Sequence, residues 1–416
     1  MTAIVETQPR GMLIVGANVA GGRAAETLRK LGFAGRVTLV GAEPQHPYER
    51  PPLSKAVLQG TMKPEQLHLR PLEFYAEQNI ELKTGTPATK LDVSARSVDL
   101  ASGERIAFDT LLIATGARPV KPAIPGANLR GVYYLRTVDD AQRLRSVMQP
   151  GARAVILGGG FIGAEVAASC RAAGVDVTLI EAASTPMGKA LGEEIGQVLA
   201  DLHRARGVSV RTGVSIQELR GLSGQVQEAV TTSGDVLSCD FVVIGIGATP
   251  EVEWLQDSGV ELENGVRVNE FCETSIPGIF AAGDAANAFN PLFGEHMRVE
   301  HSENAQNQGI AAAKNMLGQH VPFAEVPYFW SDQYDLRIQF VGHNREWDRV
   351  VIRGSTKAPS FLAYYLAGDL LQGALGVNNF KGINAAKRLI RERARVDAAQ
   401  LADEQAEIRA LETARG

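Results

Sequence analysis

Four apolar residues, Met12 to Val15, precede a glycine-containing loop, and Ala20 to Leu31 (AGGRAAETLRKL) then reads as a helix closed at Gly32. A run apolar at every position fits a strand buried on both faces of a parallel sheet. Arg36 to Val40 supplies the next strand, so the chain opens with a βαβ unit. The same order returns after residue 152: AVILGGG as strand and loop, FIGAEVAASCRAA as a helix closed by Gly174, and VDVTLIE as the second strand. Further buried strands are expected at Asp109 to Gly116, Phe241 to Gly247 and within 278 to 287. The last quarter differs. DLRIQFVGH, DRVVIRG and SFLAYYLAGDLLQGALGVN alternate with turn residues, which predicts an antiparallel sheet with a hairpin at Ala367-Gly368-Asp369. Residues 383 to 415 read as a charged helical extension into solvent.

The loops carry the chemistry. Gly158, Gly160 and Gly163 form G-x-G-x-x-G between strand and helix. The first glycine allows the tight turn, the second lets a pyrophosphate reach the backbone, and the third lets the helix pack on the strand. Phosphates then face the helix N-terminus, where free N–H groups favour anions. Glu181, 18 residues beyond Gly163, suits an adenosine ribose and repels a 2′-phosphate, which favours NADH over NADPH. Lys189 is the nearby cation that would soften this preference. The first loop has Gly16, Asn18 and Gly21, with Glu43 in the place of Glu181. Asparagine tolerates positive φ, so the turn is expected to survive at Asn18, with its side chain beside the pyrophosphate. PYERPPLSK, Pro47 to Lys55, reads as a stiff turn that holds one cation in place.

Composition narrows the classes. At 416 residues the chain can form two or three domains, and a net charge of −5 argues against nucleic acid as the main partner. The longest apolar stretches are too short to span a bilayer, and the first ten residues do not read as a signal peptide. Cys170, Cys239 and Cys272 are far apart with no C-x-x-C pair, which points to a reducing, cytoplasmic compartment and offers no redox dithiol. The seven histidines show no metal-ligand spacing, and no metal is expected.

With RPPLSK, ATGARP, GGGFIGAEVA, AAGDAAN and YFWSDQYD beside the two loops, the chain resembles flavin-dependent NADH:ferredoxin reductases of the oxygenase-coupled type over roughly residues 10 to 390. The resemblance implies two Rossmann-like nucleotide-binding domains, one for FAD (10–120 and 248–325) and one for NAD (121–247). A C-terminal α+β domain with an antiparallel sheet (326–416) would follow. It implies that Gly16, Asn18, Ala20 and Gly21 hold the FAD pyrophosphate and Glu43 its ribose. Arg50, Ala88, Ala114, Thr115, Gly116 and Arg136 would line the rest of that site, with Arg118 nearby. Asp284 would meet the ribityl chain and Ser302 the pyrimidine end of the ring. Lys55 would lie near flavin N5 in a pair with Glu165, and Trp330 against the isoalloxazine. NADH would be held by the second loop, including Ile162, with Glu181, Lys189, Gly247 and Glu300. The chain departs from the family at Asn18, at Ser302, where many relatives place tryptophan, and at TPMGK (185–189), which lacks an arginine.

The implied reaction passes a hydride from NADH to FAD. With no dithiol to take the pair, single electrons then go to a small, acidic 2Fe-2S ferredoxin. Arg298, Arg337, Lys381 and Arg388 are the candidate docking cations, and the protein is expected to be a monomer or weak homodimer. The alternatives are a related flavoprotein with another acceptor, such as monodehydroascorbate or oxygen, and a redox-sensing dimer similar to apoptosis-inducing factor.

Overall fold

The computed structural model describes residues 11–343 and 346–407. The chain forms two compact units. The first comprises the chain up to Glu49, Glu65–Arg118 and Thr249–Glu325; the second comprises Arg50–Pro64, Pro119–Ala248 and the chain from Val326.

In the first unit, strand β1 (Met12–Val15) lies at the centre of a five-stranded parallel sheet. Val37–Val40 and Thr110–Ile113 flank it, and Ile80–Lys83 and Ile279–Ala281 form the edges. Its wholly apolar sequence matches its place, since all four residues of β1 are buried. One face is covered by helix α1 (Val19–Lys30) and the helix Ser302–Met316. These two helices pack so closely that a Cβ on Gly309 would lie 2.3 Å from the Ala20 carbonyl oxygen. The other face packs on a three-stranded antiparallel sheet, Ala88–Asp92, Ser97–Leu100 and Arg105–Ala107, around the buried Phe108 and Val98.

The second unit repeats the parallel design. Strand β2 (Arg153–Leu157) is central, between Asp176–Glu181 and Phe241–Ile244, with Ser209–Thr212 and Val132–Tyr133 outside. Helix α2 (Phe161–Ala172) follows β2, and helix α3 (Glu193–Ala205) precedes the edge strand. The C-terminal sheet is antiparallel, built from β3 (Tyr328–Gln333), β4 (Leu336–Gly342), Arg349–Gly354, Phe361–Ala367 and Leu370–Val377. Its inward residues Ile338, Phe340, Phe361, Tyr365 and Leu375 form one core with Ala164 of α2 and Ile195 and Leu199 of α3. The expected hairpin is present, with Gly368 and Asp369 joining its strands. The expected α/β class, with two parallel sheets and a C-terminal antiparallel sheet, is borne out.

The charged extension expected over 383–415 needs correction. Helix α4 (Phe380–Arg391) ends where Arg393 takes a φ of +51°, and the chain then pairs back on the hairpin through Leu370 and Arg395. Arg395 also forms an ion pair with Asp369 at 2.6 Å. A short helix, Ala398–Ala402, follows, with Leu401 fully buried and Val396 nearly so. Two apolar side chains among many charges anchor the segment, so it packs rather than projects. Residues 408–415 lie outside the described residues.

Candidate active site

Both loops have the same local construction. Each first glycine takes a positive φ, +128° at Gly16 and +105° at Gly158, and a Cβ there would strike the backbone oxygen of Ala114 or Gly245 at 2.0 or 2.2 Å. Each third glycine fits helix to strand: a Cβ on Gly21 or Gly163 would lie 2.0 or 1.9 Å from the carbonyl oxygen of the first. These four glycines are required by the chain itself.

The second position differs. Gly160 is the N-cap of α2, with an extended backbone (φ −73°, ψ −177°), and a Cβ there would meet nothing within 4 Å. No side chain caps α2, so its first-turn N–H groups have no capping acceptor. A glycine that the fold does not need, at an uncapped helix N-terminus, fits the close approach of a pyrophosphate. Glu181 lies at the end of the next strand, and its two oxygens accept from the Gly159 and Ala183 N–H groups at 2.7 and 2.8 Å. Gly247 takes a φ of +120°. Ile162 and Lys189 are exposed.

Asn18 corrects the expectation of a left-handed residue. Its φ is −124°, in the extended region, and the turn is made by Gly16 alone. Asn18 is the N-cap of α1: its Oδ1 accepts from the N–H groups of Ala20 and Gly21 at 3.1 and 3.3 Å, and its Nδ2 donates to the Ala114 carbonyl. The side chain expected beside a pyrophosphate is thus engaged with the protein's own backbone, tying the loop to the end of the strand Thr110–Ile113. Asparagine needs no special backbone here because the second loop position is extended in both units.

Around the first loop, the Tyr48 hydroxyl donates to Glu43 Oε2 at 2.5 Å. Thr115 Oγ1 donates to the Glu251 carbonyl at 2.6 Å, and Arg118 forms ion pairs with Glu251 and Glu253. Gly116 follows with a φ of +78°, and Ala88 opens its strand, half-buried. Gly283, just before Asp284, packs on Ala20, and Ser302 is the first residue of its helix. Arg298 donates to the Asp284 carbonyl and forms an ion pair with Glu300. The side chain of Arg298 is only 11% exposed, so it is not a docking cation. Between Glu300 and Ser302, burial holds the His301 ring down at about 4, against the opposing field of Asp284.

In the second unit, Pro51 and Pro52 begin a 3₁₀ turn, Pro51–Ser54, that passes into the helix Ala56–Gln59 at Lys55. The proline-rich stretch is therefore a short helical element. Lys55 Nζ lies 2.7 Å from Glu165 Oε2, and the Ser54 hydroxyl donates to the same oxygen. Glu165 is buried on α2, and the Lys55 side chain is 15% exposed. Arg50 donates to the Arg136 carbonyl at 2.6 Å. Alternation along β3 divides the motif YFWSDQYD. Trp330 is half-buried and stacks on Tyr328, with ring centroids 6.1 Å apart, whereas Ser331 and Gln333 are fully buried. Ser331 Oγ donates to Glu165 Oε1 at 2.7 Å. Ser54, Ser331 and Gln333 were not singled out in the sequence. Their signal lies within PLSK and WSDQ, whose obvious features are the lysine and the tryptophan.

All three cysteines are buried and free, and burial pushes each thiol up to about 12. All three are free rather than joined in a redox disulfide, the form of sulfur that could take electrons.

Residues 11–309 match the model of the pyridine nucleotide-disulphide oxidoreductase family, and residues 328–412 match the reductase C-terminal domain. The chain belongs to that oxidoreductase family. It is 38% identical to rhodocoxin reductase of Rhodococcus erythropolis, covering 91% of this chain and 89% of the relative. It is 38% identical to the ferredoxin–NAD(+) reductase component of the anthranilate 1,2-dioxygenase system of Burkholderia cepacia, covering 94% and 96%. Among solved structures, it matches putidaredoxin reductase in its covalent complex with putidaredoxin, with a TM-score of 0.94, 34% identity, and 97% and 98% of the chains covered. The resemblance to oxygenase-coupled ferredoxin reductases is borne out, and the family implies FAD and NAD(H) as cofactors. Among the described residues no helix is long and apolar enough to cross a membrane.

Proposed function

We propose that the protein takes electrons from NADH through FAD and passes them singly to an acidic 2Fe-2S ferredoxin serving a monooxygenase or Rieske dioxygenase. The observation that carries this reading is a duplicated glycine loop in a chain whose thiols are all buried and protonated. Two dinucleotide sites need an internal hydride step, and without a dithiol the electrons must leave the chain. Relatives named as ferredoxin reductases support the same acceptor class. FAD, when bound, supplies the centre that accepts a hydride and gives up electrons one at a time.

The residues divide the work. Gly160 and the uncapped N-terminus of α2 would receive the NADH pyrophosphate, with Glu181 at the adenosine ribose. Gly16, Ala20, Gly21 and Asp284 would hold FAD, with Asn18 acting through the cap. The resemblance gives Lys55 the place beside flavin N5, where a cation favours the reduced, anionic ring. Trp330 stands for the exposed flank of the ring. A cytoplasmic setting and a monomer or weak dimer complete the reading.

Lys381 is exposed on α4, Arg388 is partly exposed there and pairs with Glu392 at 2.8 Å, and Arg337 pairs with Asp332 at 2.7 Å. Lys381 is therefore the leading docking cation, with Arg388 further along the same helix as the second. Steady-state NADH oxidation with and without 2Fe-2S ferredoxins tests the function: a ferredoxin should accelerate it many-fold, and failure of every ferredoxin alongside rapid dye reduction overturns the acceptor. The double variant Lys381→Glu, Arg388→Glu should raise the ferredoxin KM roughly tenfold at low salt and leave dye reduction unchanged.

A further inference from the structure

The motif YFWSDQYD contributes more than Trp330. Ser331, Gln333 and Tyr334 join His203 of α3 in a continuous series of hydrogen bonds that ends on Glu165. Tyr334 Oη lies 2.9 Å from His203 Nδ1, and His203 Nε2 lies 3.0 Å from Gln333 Oε1. Gln333 Nε2 lies 3.1 Å from Ser331 Oγ, which lies 2.7 Å from Glu165 Oε1. His203, Gln333 and Ser331 are wholly buried, and Glu165 is 3% exposed.

Glu165 sets the direction. Its carboxylate, paired with Lys55, only accepts, so Ser331 donates its hydroxyl proton to Oε1. The Ser331 oxygen is then the acceptor for the Gln333 amide nitrogen, which turns the Gln333 carbonyl oxygen towards His203. That oxygen requires a proton on His203 Nε2. Burial lowers the His203 pKa, so the ring is neutral and its Nδ1 must accept from the Tyr334 hydroxyl. Burial likewise pushes the Tyr334 phenol up to about 12, keeping it a donor. Every link points one way.

The far end is also held. Tyr334 takes a φ of +57° in the turn between β3 and β4, a left-handed conformation unusual for a bulky residue. The Arg206 guanidinium lies 5.0 Å from its ring centroid, and Arg206 forms an ion pair with Asp335.

We propose that Tyr334, His203, Gln333 and Ser331 are positioning residues, a one-way hydrogen-bond chain that fixes the Glu165 carboxylate and, through it, Lys55 Nζ. The role assigned to the chain rests on the reading of Lys55 as the cation for reduced flavin. Ser331 and Ser54 supply two of the donors to a buried carboxylate; removing one leaves an oxygen short of a partner and frees the glutamate to turn.

Nitrogen-15 NMR of histidine-labelled holoenzyme, with His203 assigned by through-bond correlation, reads the polarity directly. The proposal expects a neutral ring protonated on Nε2; protonation on Nδ1 alone overturns it. In Ser331→Ala the Gln333 amide is free to turn, and His203 should become a mixture of tautomers. Ser331→Ala and Gln333→Leu should each slow hydride transfer from NADH about tenfold in stopped flow, with the NADH Kd unchanged. They should also lower the flavin midpoint potential by about 30 mV, the two-electron equivalent of tenfold. Ser331→Thr keeps the hydroxyl and should retain both values. Lys55→Met separates the two ideas. If it leaves rate and potential unchanged, the reading of Lys55 fails. If it changes them while folded, FAD-loaded Ser331→Ala and Gln333→Leu do not, the positioning chain fails.

Discussion

Asn18 shows how one side chain can hold a motif position for a reason the motif does not state. It caps α1 with its oxygen and ties the loop to Ala114 with its nitrogen, all with an ordinary backbone. Asn18→Ala removes both contacts and should cost about 1 to 2 kcal/mol in chemical denaturation, whereas Asn18→Gly should cost less than alanine because the bare N–H groups regain water. The loop itself was legible, because Gly16 and Gly21 lie where an apolar run gives way to a helix. The role of Asn18 was not, because the same residue type serves a left-handed turn or an N-cap, and only the backbone angle distinguishes them.

At the scale of the element, the strand–loop–helix units separate demands of folding from demands of binding. Gly158→Ala places a Cβ against the Gly245 oxygen at a φ of +105° and should destabilise the chain by about 1 to 3 kcal/mol. Gly160→Ala has open space and an extended backbone, so its melting temperature should stay near that of the parent while its NADH Kd rises at least tenfold. Thermal melts beside cofactor titration check the pair; an unchanged Kd in Gly160→Ala would remove this loop as the NADH site. The βαβ elements could be read from the chain because buried parallel strands are apolar throughout. The series from Tyr334 to Glu165 could not, since its members lie on α2, α3, β3 and the turn after β3 and meet only in the fold. The C-terminal segment misled for a related reason: charge dominates its composition, but Val396 and Leu401 decide where it goes.

At the scale of the molecule, acid sensitivity follows from buried charge in the first unit. Glu26, on α1, is buried, yet its pKa is lowered to about 2. Burial opposes this shift and is outweighed by hydrogen bonds from Arg70, Lys30 and Arg23. A carboxyl depressed in the folded state contributes stability fully above its unfolded pKa near 4.5 and loses it as pH falls towards 2. Glu26→Gln should therefore flatten the decline between about pH 5 and pH 3 and cost about 2 to 3 kcal/mol at neutral pH. Denaturation across that range checks it. An equally steep acid limb in the variant would assign the loss elsewhere, with His301 the next group to titrate.

The three enclosed sulfhydryls have a practical corollary for anyone wishing to follow an encounter with an electron carrier. Maleimide reagents attack only accessible thiolates, and Cys170, Cys239 and Cys272 provide none. A dye or spin probe attached through Lys381→Cys would report from a single address, with the native complement of sulfur left in place.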